Sequence, residues 1–239
     1  MKIVQNVIYY INYTKGTNME KKKIPQIESR LRHSILEIPK AAYKASGILI
    51  YGKRIKTLVF TTDIAIIRNC DADAVLAVYP FTPQQIIADS IIKAADMPVF
   101  CGVGGGTTNG MRTVNLAKDA EHSGAMGVVV NAPMSNENIS MVFDEIDAPI
   151  VVTVAKEDTD IQARLDAGAS ILNVACGKNT PAVVRKIREN FPDVPIMASG
   201  GSTDETIAET IAAGANAITY TPPTTNELFK KVMARYREE

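Results

Sequence analysis

Four stretches of the chain decide its fold: CDADAVLAVYP at 70–80, SGAMGVVVNAP at 123–133, AGASILNVACG at 167–177 and AGANAITYTPP at 213–223. Each stretch begins with small residues that are typical of a helix exit. Each then continues as an apolar run, which is typical of a parallel strand covered on both faces. The equivalent positions, separated by 53, 44 and 46 residues, are Ala74, Gly127, Ile171 and Ala217. These intervals fit two strand–helix units each.

A second set of apolar runs lies between these stretches. Its members are introduced by an aspartate and a proline, the prolines being Pro98, Pro149 and Pro195, and one further run, KTLVFTTD at 56–63, precedes them all. The predicted strands are 57–62, 74–80, 98–103, 127–132, 149–155, 170–176, 195–199 and 216–221. Eight strands alternating with helices predict an α/β fold, a single (βα)8 TIM barrel whose working face lies at the carboxyl ends of the strands. An open doubly wound sheet would need fewer strands and a glycine fingerprint after the first strand.

The 239 residues contain no linker, so we expect one TIM-barrel domain over 19–239. Residues 1–18 mix polar residues into an apolar stretch, which is unlike a signal peptide or a membrane-spanning helix. We expect this stretch to be a poorly ordered N-terminal extension. The segment 24–46, interrupted at Pro39, is expected to form an N-terminal helical cap on the barrel.

Charge and cysteine content exclude several classes of protein. Lys plus Arg and Asp plus Glu both number 26, and no cationic stripe stands out, so we expect no nucleic-acid partner. Three cysteines without CxxC spacing favour a reducing compartment, and we assign the protein to the cytoplasm without a membrane partner. Both histidines, His33 and His122, fall away from the strand ends, so no histidine metal site is predicted.

The loop after the seventh strand, ASGGSTDE, is the best single motif. Gly200 and Gly201 let the backbone approach a ligand, and the helix that begins after Ser202 would favour an anion at its N-terminus. Thr221, after the last strand, offers a further donor. The alternative is an ordinary turn followed by a capped helix.

A second glycine-rich loop, GVGGGTTNG at 102–110, follows the third strand. Gly104 and Gly105 could form an anion nest there or let a substrate lie against bare backbone, and a structural loop is an equal alternative. Asn131, at the end of the fourth strand, is a candidate binding residue beside it.

Three side chains at strand ends are candidates for chemistry. Asp63 could act in acid–base catalysis, with a helix cap as its alternative role. Lys156 could form a Schiff base or act as a general base if it is partly buried, with an exposed surface lysine as the alternative. Cys176 could be a nucleophile, although a buried thiol is favoured because no histidine lies at the mouth.

From residue 148 onward, IVVTVAKEDTDIQARLDAGASILNV, FPDVPIMASGG and IAAGANAI resemble the 2-keto-3-deoxy-6-phosphogluconate aldolase family and, more loosely, thiamine phosphate synthase. PVFCGVGGG and LAKDAEHSGAMGVVVNAP are similar to the dihydrodipicolinate synthase group. The whole chain also resembles a poorly characterised group of bacterial barrel proteins that are sometimes labelled hydrolases. The aldolase resemblance implies a Schiff-base lysine on the sixth strand, where this chain has Asn173. Asn173 thus occupies the catalytic position, and an imine would require Lys156.

These observations favour an enzyme of the lyase or isomerase type that acts on a small phosphorylated or carboxylated metabolite, with no cofactor. One alternative is a hydrolase in which Asp63 activates a water that Asn131 or Asn173 orients, with a weakly held divalent ion. Another is a non-catalytic phosphometabolite sensor. A flavin is disfavoured because two prolines follow the last strand, where a phosphate clamp needs a free N–H. A homo-oligomer is compatible with the sequence.

Overall fold

The computed structural model of the protein describes Pro25, Ile27 and residues 35–238. Ser34–Glu239 forms one compact unit. The extension predicted at 1–18 and the domain start predicted at residue 19 lie outside the described residues and stay predictions.

Eight parallel strands close into a barrel in which each strand pairs with its neighbours in the chain and β8 pairs with β1. The strands are Thr57–Phe60 (β1), Ala74–Ala77 (β2), Val99–Gly104 (β3), Gly127–Val130 (β4), Ile150–Val154 (β5), Ile171–Val174 (β6), Ile196–Ser199 (β7) and Ala217–Tyr220 (β8). The predicted TIM barrel is therefore confirmed, and the open sheet is excluded. Most strands end before their apolar runs do, because the chain leaves the strand ladder as it bends into the mouth loops.

A helix follows each strand. The helices are Ile64–Ile67 (α1), Gln85–Ala94 (α2), Met111–His122 (α3), Asn136–Phe143 (α4), Ile161–Asp166 (α5), Thr180–Asn190 (α6), Asp204–Ala212 (α7) and Thr225–Glu238 (α8). The predicted helix exits at Gly124, Gly168 and Gly214 have φ values of 95°, 108° and 113°. A left-handed residue at this position ends a helix at low steric cost only when it is glycine.

The N-terminal end of the barrel is closed by a β-hairpin, which the sequence analysis did not predict. Its strands are Ile48–Ile50 and Lys53–Ile55. The two turn residues, Tyr51 and Gly52, both have positive φ, as a type I′ turn requires. The hairpin isoleucines are buried in one cluster with barrel residues such as Leu58 and Phe100.

The predicted helical cap is confirmed only in part by the residues that the structure describes. Only Lys40–Lys44 is helical there, as a 3-10 helix. This short helix packs against α7, and the Ala41 N–H donates to Asp204 Oδ1 at 3.2 Å. The physical reason is that the isoleucines of the hairpin fill the barrel end, so the preceding segment is left to cover the outside of the barrel.

The strand registers arrange the inward side chains in layers. Following paired residues once around the barrel returns to β1 eight residues lower, the shear expected of this fold. Alternate strands therefore contribute the four residues of each layer. From the hairpin end to the mouth the layers are Ala74, Gly127, Ile171, Ala217; Leu58, Phe100, Val151, Met197; Leu76, Val129, Asn173, Thr219; Phe60, Gly102, Thr153, Ser199; and Val78, Asn131, Ala175, Thr221. The first two layers are wholly apolar, and polar side chains begin in the third.

The last helix, α8, exposes apolar side chains. Phe229, Met233 and Tyr236 are 65%, 40% and 68% exposed. The homo-oligomer compatible with the sequence stays a prediction.

None of the described helices combines the length and apolar character needed to cross a membrane.

Candidate functional site

A cleft of about 560 Å³ in the barrel mouth lies over the carboxyl ends of β2, β3 and β4. Its lining residues are 78–83, Gly102, Gly104–Thr108, Asn131 and Pro133. It brings together Gly104, Gly105 and Asn131, three residues that the sequence analysis placed in the site. The other predicted residues do not line it: Asp63, Lys156, Asn173, Gly200, Gly201, Ser202 and Thr221.

The glycine-rich loop packs directly against the end of β4. Gly105 has φ 129°, and a Cβ atom placed on it would lie 2.5 Å from the Asn131 Cβ. The Asn131 N–H in turn donates to the Gly104 carbonyl at 3.0 Å. Gly105 is therefore required both by its backbone conformation and by this close approach. The loop holds the Asn131 backbone in place while it also lines the cleft, so its structural role is shown and its binding role stays a prediction.

The N-terminus of α3 follows the glycine-rich loop without a side-chain cap. Gly110 is the N-cap residue, and the first turn contains no acidic residue. The Gly110 N–H donates to Asn138 Oδ1 at 3.0 Å. Uncapped N–H groups and the helix dipole favour an anion at such a terminus.

The N-terminus of α7, beside the predicted anion loop, is differently equipped. Thr203 caps the helix and forms a capping box with Thr206. Asp204 and Glu205 stand in the first turn, and hydrogen bonds from the Glu205 backbone N–H and the Thr203 side chain lower the pKa of the Glu205 carboxyl. Two carboxylates already complement this helix dipole, so they compete with an added anion. An anion at Gly200–Ser202 stays a prediction, and the α3 terminus is better suited to one.

Asp63 performs the helix-cap role that was its alternative in the sequence analysis. Its Oδ1 accepts hydrogen bonds from the N–H groups of Ala65 at 2.8 Å and Ile66 at 3.3 Å. Its Oδ2 accepts one from the Thr225 hydroxyl. Both carboxylate oxygens are thus engaged in joining α1 to the start of α8.

Lys156 is exposed, so the partial burial on which its activation would depend is not present. It lines a second cleft of about 530 Å³ together with Asp158, Asp160 and Arg164. Arg164 donates to the carbonyls of Met134 and Ala132, and burial lowers the pKa of its guanidinium. This second cleft adjoins the first through Pro133, which lines both.

The third interior layer contains two buried polar atoms that have no hydrogen-bond partner among the described residues, Asn173 Oδ1 and Thr219 Oγ1. Each residue is 6% exposed. Thr153 and Ser199 face the same axis in the layer above and are half-buried. An unpaired buried polar group costs about 1–3 kcal/mol, so such groups are usually satisfied by water or a ligand. Thr219 and Thr153 were missed by the sequence analysis, although each stands at an inward position of its strand. Ser199 belongs to the predicted ASGGSTDE motif.

The described residues offer no protein cage for a metal ion. No three His, Cys, Asp or Glu side chains among them lie close enough together to coordinate one. The weakly held divalent ion of the hydrolase hypothesis therefore has no preformed ligand set in the described part of the chain.

Cys176 is a half-buried thiol whose pKa is raised, first by burial and then by the charge of Glu157. A raised pKa keeps the sulfur protonated at neutral pH and lowers its reactivity. We therefore expect alkylation by iodoacetamide, followed by mass spectrometry of the Cys176 peptide, to be slow at pH 7 and to accelerate as the pH rises beyond the ordinary cysteine pKa of about 8.5. Rapid labelling below pH 7 would restore the nucleophile hypothesis.

No protein-family model matches the chain, and no curated protein matches it. Several solved structures are similar to the chain. The phosphoenolpyruvate phosphomutase of Streptomyces platensis subsp. rosaceus is 16% identical with a TM-score of 0.60, covering 83% of each chain. A 2,3-dimethylmalate lyase of the PEP mutase/isocitrate lyase superfamily is 11% identical with a TM-score of 0.58, covering 83% of this chain and 84% of its own.

The 4-hydroxy-tetrahydrodipicolinate synthase of Methylacidiphilum fumariolicum SolV is 15% identical with a TM-score of 0.55, covering 71% of this chain and 68% of its own. At these identities the likeness shows the fold alone. The chain therefore has a TIM-barrel fold, as these solved structures do. The finer resemblance to the phosphogluconate aldolase and thiamine phosphate synthase group is not shown.

Proposed function

We propose that the protein is an enzyme of the lyase or isomerase type that acts on a small phosphorylated or carboxylated metabolite in the barrel mouth. The observation that carries this proposal is a pair of buried polar atoms without a partner among the described residues, Asn173 Oδ1 and Thr219 Oγ1. They belong to the interior layer below those of Gly102 and Asn131, which line the cleft. Mutase, lyase and synthase activities in the names of the similar structures support the same reaction classes.

The anionic group of the substrate is assigned to the rim formed by the glycine-rich loop and the N-terminus of α3. The first turn of α3 contains no acidic residue that would compete with a bound anion for its backbone N–H groups. The cleft reaches the interior layers at Gly102 and Asn131. A substrate anchored at this rim would extend from there toward Asn173.

Thermal-shift measurements test this assignment with inorganic phosphate, phosphate esters, 2-oxo acids and dicarboxylates. A ligand at 100 times its dissociation constant stabilises the fold by about 2.7 kcal/mol, a shift of several degrees. We expect Asn131→Ala to reduce the shift strongly and Ser202→Ala to leave it intact. The opposite pattern would move the anion to the loop after β7, and no shift with any anion would overturn the proposed substrate class.

We assign proton transfer to Lys156 rather than Asp63, with its exposed ammonium group as a general acid, a role that does not need the burial required of a general base or a Schiff-base amine. Both Asp63 oxygens already accept hydrogen bonds, whereas none of the ion pairs among the described residues involves Lys156. General acid–base groups contribute about 10²–10⁴-fold to rates. We therefore expect Lys156→Met to lower kcat by at least about 10²-fold with little change in substrate binding.

Lys178→Met is the matched control for Lys156→Met, because Lys178 is an exposed lysine in the next mouth loop. Its kcat should stay native. Equal losses in both variants would indicate a general charge effect, and no loss in Lys156→Met would remove this lysine from the mechanism.

The two alternative functions give different results in the same assays. A hydrolase dependent on Asp63 would lose turnover in Asp63→Asn at unchanged stability, whereas the cap role predicts mainly a loss of stability. A sensor would bind a phosphate ester without converting it, which NMR spectra of the incubated ligand would show.

A further inference from the structure

In the third and fourth interior layers, the polar side chains lie on one half of the barrel wall. Asn173 and Thr219 belong to one layer on β6 and β8, and Thr153 and Ser199 belong to the layer above on β5 and β7. The pairing of Thr153 with Asn173 and of Ser199 with Thr219 makes these four residues neighbours in two pairs. In these two layers, amide and hydroxyl groups therefore occupy every inward position on β5–β8.

The opposite half of the same two layers is apolar. Phe60, Leu76, Gly102 and Val129 occupy the corresponding positions on β1–β4. Phe60, Leu76 and Val129 belong to or pack against the interior hydrophobic cluster, and a Cβ atom on Gly102 would lie 3.2 Å from Val78 Cγ2. A molecule entering these layers meets hydrogen-bonding groups on one side and carbon on the other.

No inward position of the five described layers carries a charged side chain. A carboxylate or phosphate buried at Asn173 would lose its hydration without gaining a counter-charge, which is costly. A hydroxyl group instead can donate to the Asn173 oxygen and both donate to and accept from the Thr219 hydroxyl. Asn173 and Thr219 therefore favour an uncharged group that can form hydrogen bonds.

We propose, on the basis of the proposed function, that the substrate is a hydroxylated carbon chain that enters with its uncharged end first. Asn173 and Thr219 bind its innermost hydroxyl groups, and its C–H face lies against Phe60 and Leu76. Its phosphate or carboxylate stays at the rim formed by the glycine-rich loop. Polyol phosphates and sugar acids fit this description, whereas a compact dianion such as oxalate does not.

Isothermal titration calorimetry of the full chain with matched ligand pairs tests the inference. The pairs are glycerol 3-phosphate with n-propyl phosphate, and erythronate with butyrate, so that each pair differs only in hydroxyl groups. We expect the hydroxylated member to bind at least tenfold more tightly. In Thr219→Val and Asn173→Leu, which keep the side-chain volume, this preference should shrink below threefold while binding of the alkyl member stays native.

Three other outcomes would each contradict a different part of this proposal. Equal binding within each pair by the native protein would refute hydroxyl recognition by Asn173 and Thr219. It would leave anion binding at the glycine-rich loop, and thus the proposed function, unaffected. A preference that persists in both variants would place hydroxyl recognition elsewhere. No binding of any member, together with no thermal shift by other anions, would overturn the proposed function and the inference with it.

Discussion

Gly105→Ala should destabilise the protein by about 3 kcal/mol or more and abolish ligand binding. Its φ of 129° is a conformation that residues with a Cβ rarely adopt, and the new methyl group would lie 2.5 Å from the Asn131 Cβ and 3.1 Å from the Asn131 backbone N. Relief requires the glycine-rich loop and the end of β4 to separate. Because both line the cleft, urea denaturation and ligand titration should report the damage together.

Gly106→Ala is the matched control one residue along the same loop. Gly106 also has positive φ, 61°, but apart from its two chain neighbours no described residue has an atom within 4 Å of the position of its Cβ. Only the left-handed backbone is penalised, by about 1–2 kcal/mol, and binding should persist. Equal losses of stability in the two variants would mean that backbone strain, rather than contact with Asn131, fixes this loop.

Thr219→Val should leave the free energy of unfolding unchanged or raise it by about 1 kcal/mol, while it weakens binding of a hydroxylated ligand at least tenfold. Valine has the shape of threonine, and the hydroxyl that it removes is buried without a partner in the described structure. An unsatisfied buried polar group is costly, so its loss favours the folded state. Stability and binding would then change in opposite directions, as expected for a residue retained for a ligand.

Thr57→Val makes the same substitution where the hydroxyl is paired. Thr57 is fully buried, and its Oγ1 accepts the Asp73 N–H at 2.9 Å. Removing this acceptor leaves the N–H unsatisfied and should cost about 1–2 kcal/mol in urea denaturation. If Thr219→Val destabilised the protein as much as Thr57→Val, its hydroxyl would be paired to a permanent buried water, and its ligand role would lose its support.

The strands and several helix ends could be read from the chain because they depend on local patterns. The strand starts predicted at Ala74 and Gly127 coincide with the observed ones. The hairpin was missed because its turn, Tyr51–Gly52, is not one of the usual asparagine–glycine or aspartate–glycine signals. Its short strands bury their isoleucines against the end of the barrel, a surface that exists only once the barrel has closed.

The candidate site was only partly predictable. Asn131, Gly104 and Gly105 line the cleft over β2, β3 and β4, because each directly follows or ends a strand. The roles of Asp63 and Lys156 could not be decided, since they depend on what each side chain contacts. Asp63 accepts a hydrogen bond from Thr225, which lies 162 residues away in the chain.

The sequence by itself determined that eight apolar runs alternate with helices. The patterns typical of strands and helices repeat over a few residues, so each segment can be recognised without knowledge of the others. Only the tertiary structure decided that Asn173 and Thr219 share an interior layer. Their proximity depends on the shear with which the strands close, a property of the whole ring of hydrogen bonds. The same closure leaves their polar atoms buried and unpartnered, which is why the proposed ligand site became visible only in the folded barrel.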